Sequence, residues 1–374
     1  ACALAPDKMS RVFKDLVSYS SFPVPGDRAL WFPRQRKAPP PAAAPGGFTK
    51  ATPAVLGLRA LLPGVPRFEE NGTALRQLLM AGHQIPATVP AARWETPVPR
   101  AEHSAIYGSF LDDAAADYEA TGMVAVEARY ADPQQLLVLE SSCGSLKDAL
   151  GEPGAAFEKE AFAGRHVAVY MGCGGVCYGG GALASASSIV GDPKLNLYTG
   201  TSWSLSVVSG RVSFVLGLTG PCLALDTACC SALVAAHVAT GALSLKECDQ
   251  ALAATVGLLT EPASTAFSIA GMISPRGRCH TLDAQGDGYV RGEGCVTLVL
   301  DPEAENGAQL AGSATMQDGL SASLTAPNGS AQRRLLKAVP SESDYDGAVE
   351  SLEMHGTGTA LGDPIEVGAA ANTL

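Results

Sequence analysis

The chain has 374 residues, of which 47% are hydrophobic and 17% charged, and this composition excludes a disordered protein. Lys and Arg number 26 against 37 Asp and Glu, so the net charge of −11 disfavours a nucleic-acid-binding protein. The chain has no apolar run of about 18 residues, and we therefore predict no membrane span.

Residues 1–50 differ in composition from the rest of the chain. The segment KMSRVFKDLVSY predicts a short amphipathic helix, and RKAPPPAAAPGG over residues 36–47 predicts an extended linker. We interpret this N-terminal extension with its proline-rich linker as a surface tail and spacer. A docking arm for a partner is the alternative.

From about residue 52 the pattern is globular. It predicts a first strand in TPAVLGLRAL, a helix in NGTALRQLLMAG that ends at Gly82, and an amphipathic helix in DPQQLLVLESSCGSLKDAL with Pro133 in its first turn. Strands follow in RHVAVYMG and LALDTA, and CCSALVAAHVATGALSL predicts an apolar helix. Further strands are predicted in GCVTLVL, QLAGSATM and GAVESLEMH. Helices that alternate with such strands are typical of a layered α/β protein with buried sheets.

The ten cysteines are scattered and form no dense disulfide framework. Cys222, Cys248 and Cys295 lie in apolar runs, where we expect buried, reduced thiols. A reducing intracellular compartment, the cytoplasm or a plastid, is therefore favoured. The pair Cys173 and Cys177 has no histidine or second cysteine pair nearby, so we predict no zinc site.

The segment GPCLALDTACCSALVAAHVATGAL, residues 220–243, contains the candidate nucleophile. Cys229 falls where a buried strand gives way to a long apolar helix, and the positive end of a helix stabilises a thiolate. Small neighbours, including Ala228 and Ser231, leave room for a substrate carbonyl, and the amide of Cys229 could face a developing oxyanion. From the residues alone, an inert packed cysteine remains the alternative.

The segment SLEMHGTGTALGDPIE, residues 351–366, contains the second candidate. We expect His355 directly after a strand and before a glycine-rich turn that carries the hydroxyls of Thr357 and Thr359. Asp363 is suited to cap the next helix. A histidine at this place is either a site residue or a satisfied structural residue.

With these two segments, the chain resembles the β-ketoacyl synthases, the ketosynthase domains of polyketide and fatty acid synthases. Other segments match the family in the expected order: AVLGLRALLPGV, LRQLLMAGHQIPATVPAARWE, ARYADPQQLLVLE, GRCHTLDAQGDGYVRGEGCVTLVL and QDGLSASLTAPNGSAQ. The match covers about residues 53–374.

The resemblance implies an α/β, thiolase-like, layered α/β/α/β/α fold of two similar halves, each with a mixed sheet. Residues 51–295 would form the half that carries the cysteine, and residues 296–374 part of the half that carries the histidine. The family's members pair as homodimers, which implies a homodimer here, and membership of a larger assembly is also implied.

The resemblance also implies roles for the candidate residues. Cys229 would accept an acyl group from an acyl carrier protein, and His355 would be one of two histidines that bind the thioester of a malonyl-type extender. Thr357 and Thr359 would contact the phosphopantetheine arm of the carrier. The reaction would be a decarboxylative Claisen condensation that requires no metal and no bound cofactor.

The sequence also departs from the family pattern. It ends at Leu374, before the family's lysine and second histidine, so we expect the second half to be incomplete. Ala131, Leu136 and Cys230 replace the family's usual Met, Arg and Ser. The competing hypothesis is a catalytically degenerate ketosynthase-like subunit with a structural or interaction role in an assembly. A thiolase that uses coenzyme A is disfavoured, since HGTGT and DTACCSA resemble the carrier-dependent branch.

Overall fold

A computed structural model describes residues 51–65, 67, 73–94, 106–149, 159–174, 198–202, 204–323, 325–341 and 349–374. The predicted extension over residues 1–50 lies outside the described residues, as does Cys177. Among the described residues, no helix is both long and apolar enough to cross a bilayer.

The described strands and helices begin and end at well-defined residues. The strands are β1 (Ala54–Leu61), β2 (Ala87–Thr88), β3 (Tyr107–Gly108), β4 (Val167–Cys173), β5 (Cys222–Leu225), β6 (Gln250–Gly257), β7 (Gly294–Asp301) and β8 (Ala308–Gln309). The α-helices are α1 (Thr73–Met80), α2 (Ala125–Ala128), α3 (Pro133–Ala149), α4 (Thr199–Ser202), α5 (Leu205–Leu216), α6 (Ser231–Ser244), α7 (Glu261–Ile269), α8 (Gly329–Ser341) and α9 (Gly362–Ala371). Two 3₁₀ turns are Lys159–Ala161 and Ala228–Cys230.

Most predicted elements are confirmed. Strands β1, β4, β5 and β7 and helices α1, α3 and α6 occupy the segments that predicted them. Gly82 has a φ of +63° just beyond α1, the left-handed conformation that glycine adopts without steric cost.

One six-stranded mixed sheet, in the order β5-β4-β6-β7-β1-β8, forms the centre of the described fold. Strands β5, β4 and β6 are parallel, while β7 runs antiparallel to both β6 and β1. Every residue of β4 is buried, as expected for a continuous apolar run in a sheet that is covered on both faces.

Strand β4 divides its side chains between two apolar cores. Val167, Val169 and Met171 pack into the core that includes α3 and α5, whereas Ala168 and Tyr170 pack into the core that includes α6. This alternation is the period of two that a β-strand imposes. The sheet therefore lies between helices on both faces, in agreement with the predicted layered α/β architecture.

Helix α3 was predicted to be amphipathic, and that prediction is wrong. Of its 17 residues, ten are buried, and several of these are polar. Gln134 Oε1 accepts a hydrogen bond from the amide of Leu258 (3.0 Å), and Gln135 Oε1 accepts one from Arg211 Nε (2.8 Å). Because such partners satisfy its polar side chains, α3 can be buried on most of its circumference.

Two predicted strands are also wrong. In QLAGSATM only Gln309 lies in a strand, the two-residue β8 (Ala308–Gln309), and residues 349–359, which contain the described part of GAVESLEMH, form none. β8 pairs with β1 over only two residues. Residues around 355 have no neighbouring strand among the described residues, and their amides donate to carboxylates instead. Of the two large mixed sheets that the resemblance implies, the described residues therefore form one, and β2 and β3 pair separately as a small antiparallel sheet.

A buried carboxylate joins three parts of the fold next to the sheet. The side chain of Glu293 is inaccessible to solvent and forms an ion pair with Arg93 (2.8 Å). Its other bonds come from the amides of Leu111 (2.9 Å) and Leu259 (3.0 Å). Three donors on one buried carboxylate offset its desolvation. The loss of the carboxylate would leave the two amides unpaired and Arg93 without its charged partner.

We predict that Glu293→Ala lowers the free energy of unfolding by about 3–5 kcal/mol, since it leaves the half-buried Arg93 without its partner. Urea denaturation measures the change. The control is Glu303→Ala at an exposed position, for which we expect a change within about 0.5 kcal/mol. Equal losses in the two variants would contradict the assigned role of Glu293.

Candidate functional site

The structure places Cys229 at the junction that the sequence predicted. β5 ends at Leu225, the 3₁₀ turn Ala228–Cys230 follows, and α6 begins at Ser231. Cys229 is exposed. Its position in the turn before a fourteen-residue helix places it near the positive end of the helix dipole.

Side-chain hydrogen bonds hold the turn around Cys229. Asp226 Oδ1 accepts from the amide of Ala228 (3.0 Å), and Ser231 Oγ accepts from the amide of Thr227 (2.9 Å). The thiol of Cys230 donates to the carbonyl of Thr227 (3.0 Å), so the side chain of Cys230 helps to hold the turn. Ala228 has a φ of +54°, a conformation that costs a residue with a side chain about 1–2 kcal/mol. The turn is therefore strained at Ala228, and these hydrogen bonds hold it in that conformation.

The other thiols differ in exposure. The prediction that Cys222 is buried is wrong, because β5 is the edge strand of the sheet and Cys222 is exposed there. Cys248 and Cys295 are buried as predicted, and burial raises the pKa of Cys248 to about 11 and that of Cys295 to about 12. Since the thiolate is the reactive form, buried thiols with raised pKa values are poor nucleophiles.

His355 lies in an irregular loop, because the strand predicted before it is absent from the described residues. The carboxylate of Glu366, on α9, accepts hydrogen bonds from the amides of His355 (2.7 Å) and Gly356 (3.0 Å). The side chain of His355 is left exposed. The backbone at His355 is thus fixed by a charged acceptor, while the imidazole remains accessible.

The remaining loop residues are also tied to the start of α9. The hydroxyls of Thr357 and Thr359 lie 3.1 Å apart, and Thr359 Oγ1 accepts from the amide of Gly362 (3.1 Å). The prediction that Asp363 caps α9 is wrong, since the cap position is Leu361 and no side chain caps this helix. The loop from His355 to Thr359 is therefore held at its end by Thr359.

The carboxylate of Asp363 points instead into the neighbouring loops. It is buried and accepts hydrogen bonds from the amides of Gly358 (3.0 Å) and Leu282 (2.8 Å). Gly358 has a φ of +66°, and a side chain there would collide with the carbonyl of Cys279. Only glycine allows the two loops to approach this closely.

Residues 279–289 form a connecting segment, which contacts the histidine loop and ends within electrostatic range of Cys229. The amide of Gly288 donates to the carbonyl of Gly358 (3.1 Å), and Thr281 Oγ1 donates to the carbonyl of Gly356 (2.6 Å). Burial raises the pKa of Tyr289, the charge of Arg291 opposes this rise, and Cys229 is close enough to add to it. The connecting segment is therefore bonded to the histidine loop at Thr281 and Gly288, and its Tyr289 lies within electrostatic range of the cysteine.

Ionic and polar contacts brace the connecting segment from the outside. Asp287 accepts from Arg276 Nε (2.7 Å) and from Ser274 Oγ (2.7 Å). Burial acts to raise the pKa of Asp287, but these two bonds outweigh it and lower the pKa below the usual range of a carboxyl. The segment is thus held by a charged network at neutral pH.

The connecting segment was not predicted to be part of the site. The sequence feature that could have indicated it is the repeated glycine in GDGYVRGEG. Gly288, with a φ of +132°, is one of these glycines. The described residues contain no hydrogen bond between Cys229 and His355, so their cooperation stays a prediction. Nor do the described residues include a group of three or more His, Cys, Asp or Glu that could hold a metal ion.

Comparisons with protein families cover nearly all of the globular region. Residues 53–306 match the family described as the N-terminal domain of β-ketoacyl synthase, and residues 307–374 match its C-terminal domain. The predicted division between residues 295 and 296 stays a prediction.

Similar proteins include one component of the phenolphthiocerol/phthiocerol polyketide synthase of Mycobacterium tuberculosis, which is 38% identical over 337 residues. That match covers 86% of this chain and 21% of the relative. A mycocerosic acid synthase-like polyketide synthase of Mycolicibacterium smegmatis is 36% identical over 335 residues, which are 85% of this chain and 15% of the relative. The chain thus spans a small part of the length of these relatives.

Solved structures give the same result for the fold. The ketosynthase from module 6 of the bacillaene synthase of Bacillus subtilis 168 has a TM-score of 0.71 at 27% identity, over 86% of this chain and 54% of that one. An oxazolomycin ketosynthase domain of Streptomyces albus has a TM-score of 0.71 at 28% identity, over 86% of this chain and 56% of that one. The thiolase-like fold class predicted from the sequence is confirmed.

We predict that brief treatment of the native protein with iodoacetamide modifies Cys222, Cys229 and Cys230 before Cys248 and Cys295. The first three are exposed, whereas burial raises the pKa values of the last two. Peptide mass spectrometry measures the order, and the urea-unfolded protein is the control in which all five should react. Modification of Cys248 ahead of Cys222 would contradict the assigned burial.

Proposed function

Since the chain belongs to the β-ketoacyl synthase family, we propose that it is a ketosynthase that forms carbon–carbon bonds by decarboxylative Claisen condensation. The observation that carries the proposal is the exposed Cys229 in a held turn at the start of an apolar helix. A thiol in such an environment is suited to nucleophilic catalysis.

In the first half of the reaction, the Cys229 thiolate attacks the carbonyl of an acyl thioester on an acyl carrier protein. The carbon–sulfur bond to the carrier breaks, and the carrier leaves as a thiolate, which takes a proton from water. The acyl group then remains on Cys229 as a new thioester. Backbone amides at the start of α6 are suited to stabilise the negative charge that develops on the carbonyl oxygen.

In the second half, a malonyl-type thioester loses carbon dioxide, and the electron pair of the broken bond forms an enolate. The exposed imidazole of His355 is suited to hydrogen-bond the thioester oxygen that carries this charge. The enolate carbon attacks the acyl carbonyl, and the Cys229 thiolate leaves. Thr357 and Thr359 would bind the phosphopantetheine arm, whose polar amides match their hydroxyls. No metal and no cofactor other than that arm is needed in this scheme.

The proposed partners are an acyl carrier protein, the other parts of a larger assembly and a second copy of the chain. The similarity to components of polyketide synthases supports the first two. For the homodimer, the support is the edge of β5, which no other described strand pairs with, and the large apolar side chains exposed on the two helices that contact β5, with Phe214 81% and Leu233 76% accessible. An open strand edge with exposed apolar neighbours favours pairing with another chain.

We predict that an acyl thioester of N-acetylcysteamine leaves a single acyl group on Cys229, because this exposed thiol lies at the start of α6. Intact-mass and peptide mass spectrometry measure the adduct. Cys229→Ala should abolish it, while the matched control Cys230→Ala should retain it. A wild-type protein that is labelled elsewhere, or not at all, would contradict the proposal and favour the degenerate structural role.

We also predict that the chain is a dimer and that Leu233→Asp shifts it towards the monomer, because a charge replaces an exposed apolar side chain next to the open edge. Light scattering after size-exclusion chromatography gives the mass. The control is Leu320→Asp, at a leucine that is 99% exposed in another part of the fold. A wild-type monomer would argue against the dimer.

A further inference from the structure

We propose that Ser231 is a positioning residue, which fixes Cys229 in place by bonding to Thr227 and Ala228, the two residues that precede it. The proposal rests on the proposed function, in which Cys229 is the nucleophile. In the sequence, Ser231 is notable only as a small neighbour that leaves space. The hydrogen bonds of its hydroxyl give it a specific structural role.

The hydroxyl of Ser231 makes two hydrogen bonds in opposite senses. Its oxygen accepts from the amide of Thr227 (2.9 Å), and its proton goes to the carbonyl of Ala228 (2.7 Å). Ser231 is only 4% exposed, so water does not replace these bonds readily. A single side chain thus ties the residues on both sides of the peptide bond that leads into Ala228.

Ser231 is itself held against the sheet. A side chain at Gly172 would lie 2.6 Å from the carbonyl group of Ser231, so β4 and the first residue of α6 are in close contact. This contact makes Ser231 a fixed point relative to β4. The Ser231 hydroxyl therefore fixes the position of the turn that carries Cys229 relative to β4.

The turn requires such a restraint because of Ala228. Its φ of +54° lies in the left-handed region, which disfavours every residue with a Cβ atom. Without the Ser231 hydroxyl, the amide of Thr227 loses its partner and the carbonyl of Ala228 keeps only the backbone amide of Ser231. Ala228 can then relax towards an ordinary conformation. That rotation would move Cys229, the next residue. Glycine at 228 would adopt the observed conformation without strain.

The experiment compares four forms of the chain: wild type, Ser231→Ala, the double variant Ala228→Gly with Ser231→Ala, and the control Ser213→Ala. Ser213 has a buried hydroxyl without a hydrogen-bond partner. Two rates are measured, acyl transfer to Cys229 from an N-acetylcysteamine thioester and alkylation of Cys229 relative to Cys230 by chloroacetamide. Thermal unfolding midpoints are recorded for all forms.

We expect Ser231→Ala to acylate about tenfold more slowly at an unchanged half-saturating concentration, since one or two hydrogen bonds are lost. In the same variant, the ratio of Cys229 to Cys230 alkylation should also fall. The double variant should recover to within about threefold of wild type, because glycine removes the strain. Ser213→Ala should match wild type. Glycine at 228 restores no hydrogen bond. If Ser231 only stabilised the fold, this glycine would not be expected to restore the rate.

Wild-type rates in Ser231→Ala, or no recovery in a folded double variant, would overturn the proposal. Should Ser231→Ala not fold, Ala228→Gly and the double variant are compared, and about a tenfold slower double variant overturns it. A wild type without acyl transfer, in which the alkylation ratio still falls and recovers as expected, would overturn the proposed function and leave the role of Ser231 supported.

Discussion

The close approach of α6 to β4 is the constraint on which the candidate nucleophile depends. β4 is buried along its whole length between β5 and β6, and at Gly172 it leaves no room for a side chain beneath the first residue of α6. Gly220, just before β5, contacts the backbone of Val167 in the same way. Because glycine allows both contacts, the strand that enters the turn and the helix that leaves it are each fixed to β4.

The histidine loop is held by charged acceptors in addition to the close approach at Gly358. Asp363 and Glu366 lie three residues apart on the first two turns of α9, and their carboxylates accept hydrogen bonds from four amides, three in the histidine loop and one at Leu282. Charge-assisted bonds of this kind are stronger than bonds between neutral groups. They also explain why Asp363 does not cap its own helix: its carboxylate is already engaged by the amides of Gly358 and Leu282.

The sequence predicts those features that depend on neighbouring residues. The apolar runs of β4 and α6 and the place of Cys229 between a strand and a helix follow from local pattern. The exposure of Cys222 does not, because it depends on β5 being last in the sheet, which is set by the order of distant strands. The role of the connecting segment was equally hidden, since its contacts to Gly356 and Gly358 are made with backbone carbonyls that no residue type reveals.

The two ways of holding the site bear on whether the chain is an enzyme or a structural component. A structural component needs the buried sheet, but it does not need a strained Ala228 that hydrogen bonds maintain beside an exposed thiol. Nor does it need the carboxylates of Asp363 and Glu366 to hold the loop that carries the exposed imidazole of His355. Strain and charge kept at such places have a cost in stability, and they are typical of functional sites. Their presence together in one chain supports the proposed condensing enzyme over the scaffold.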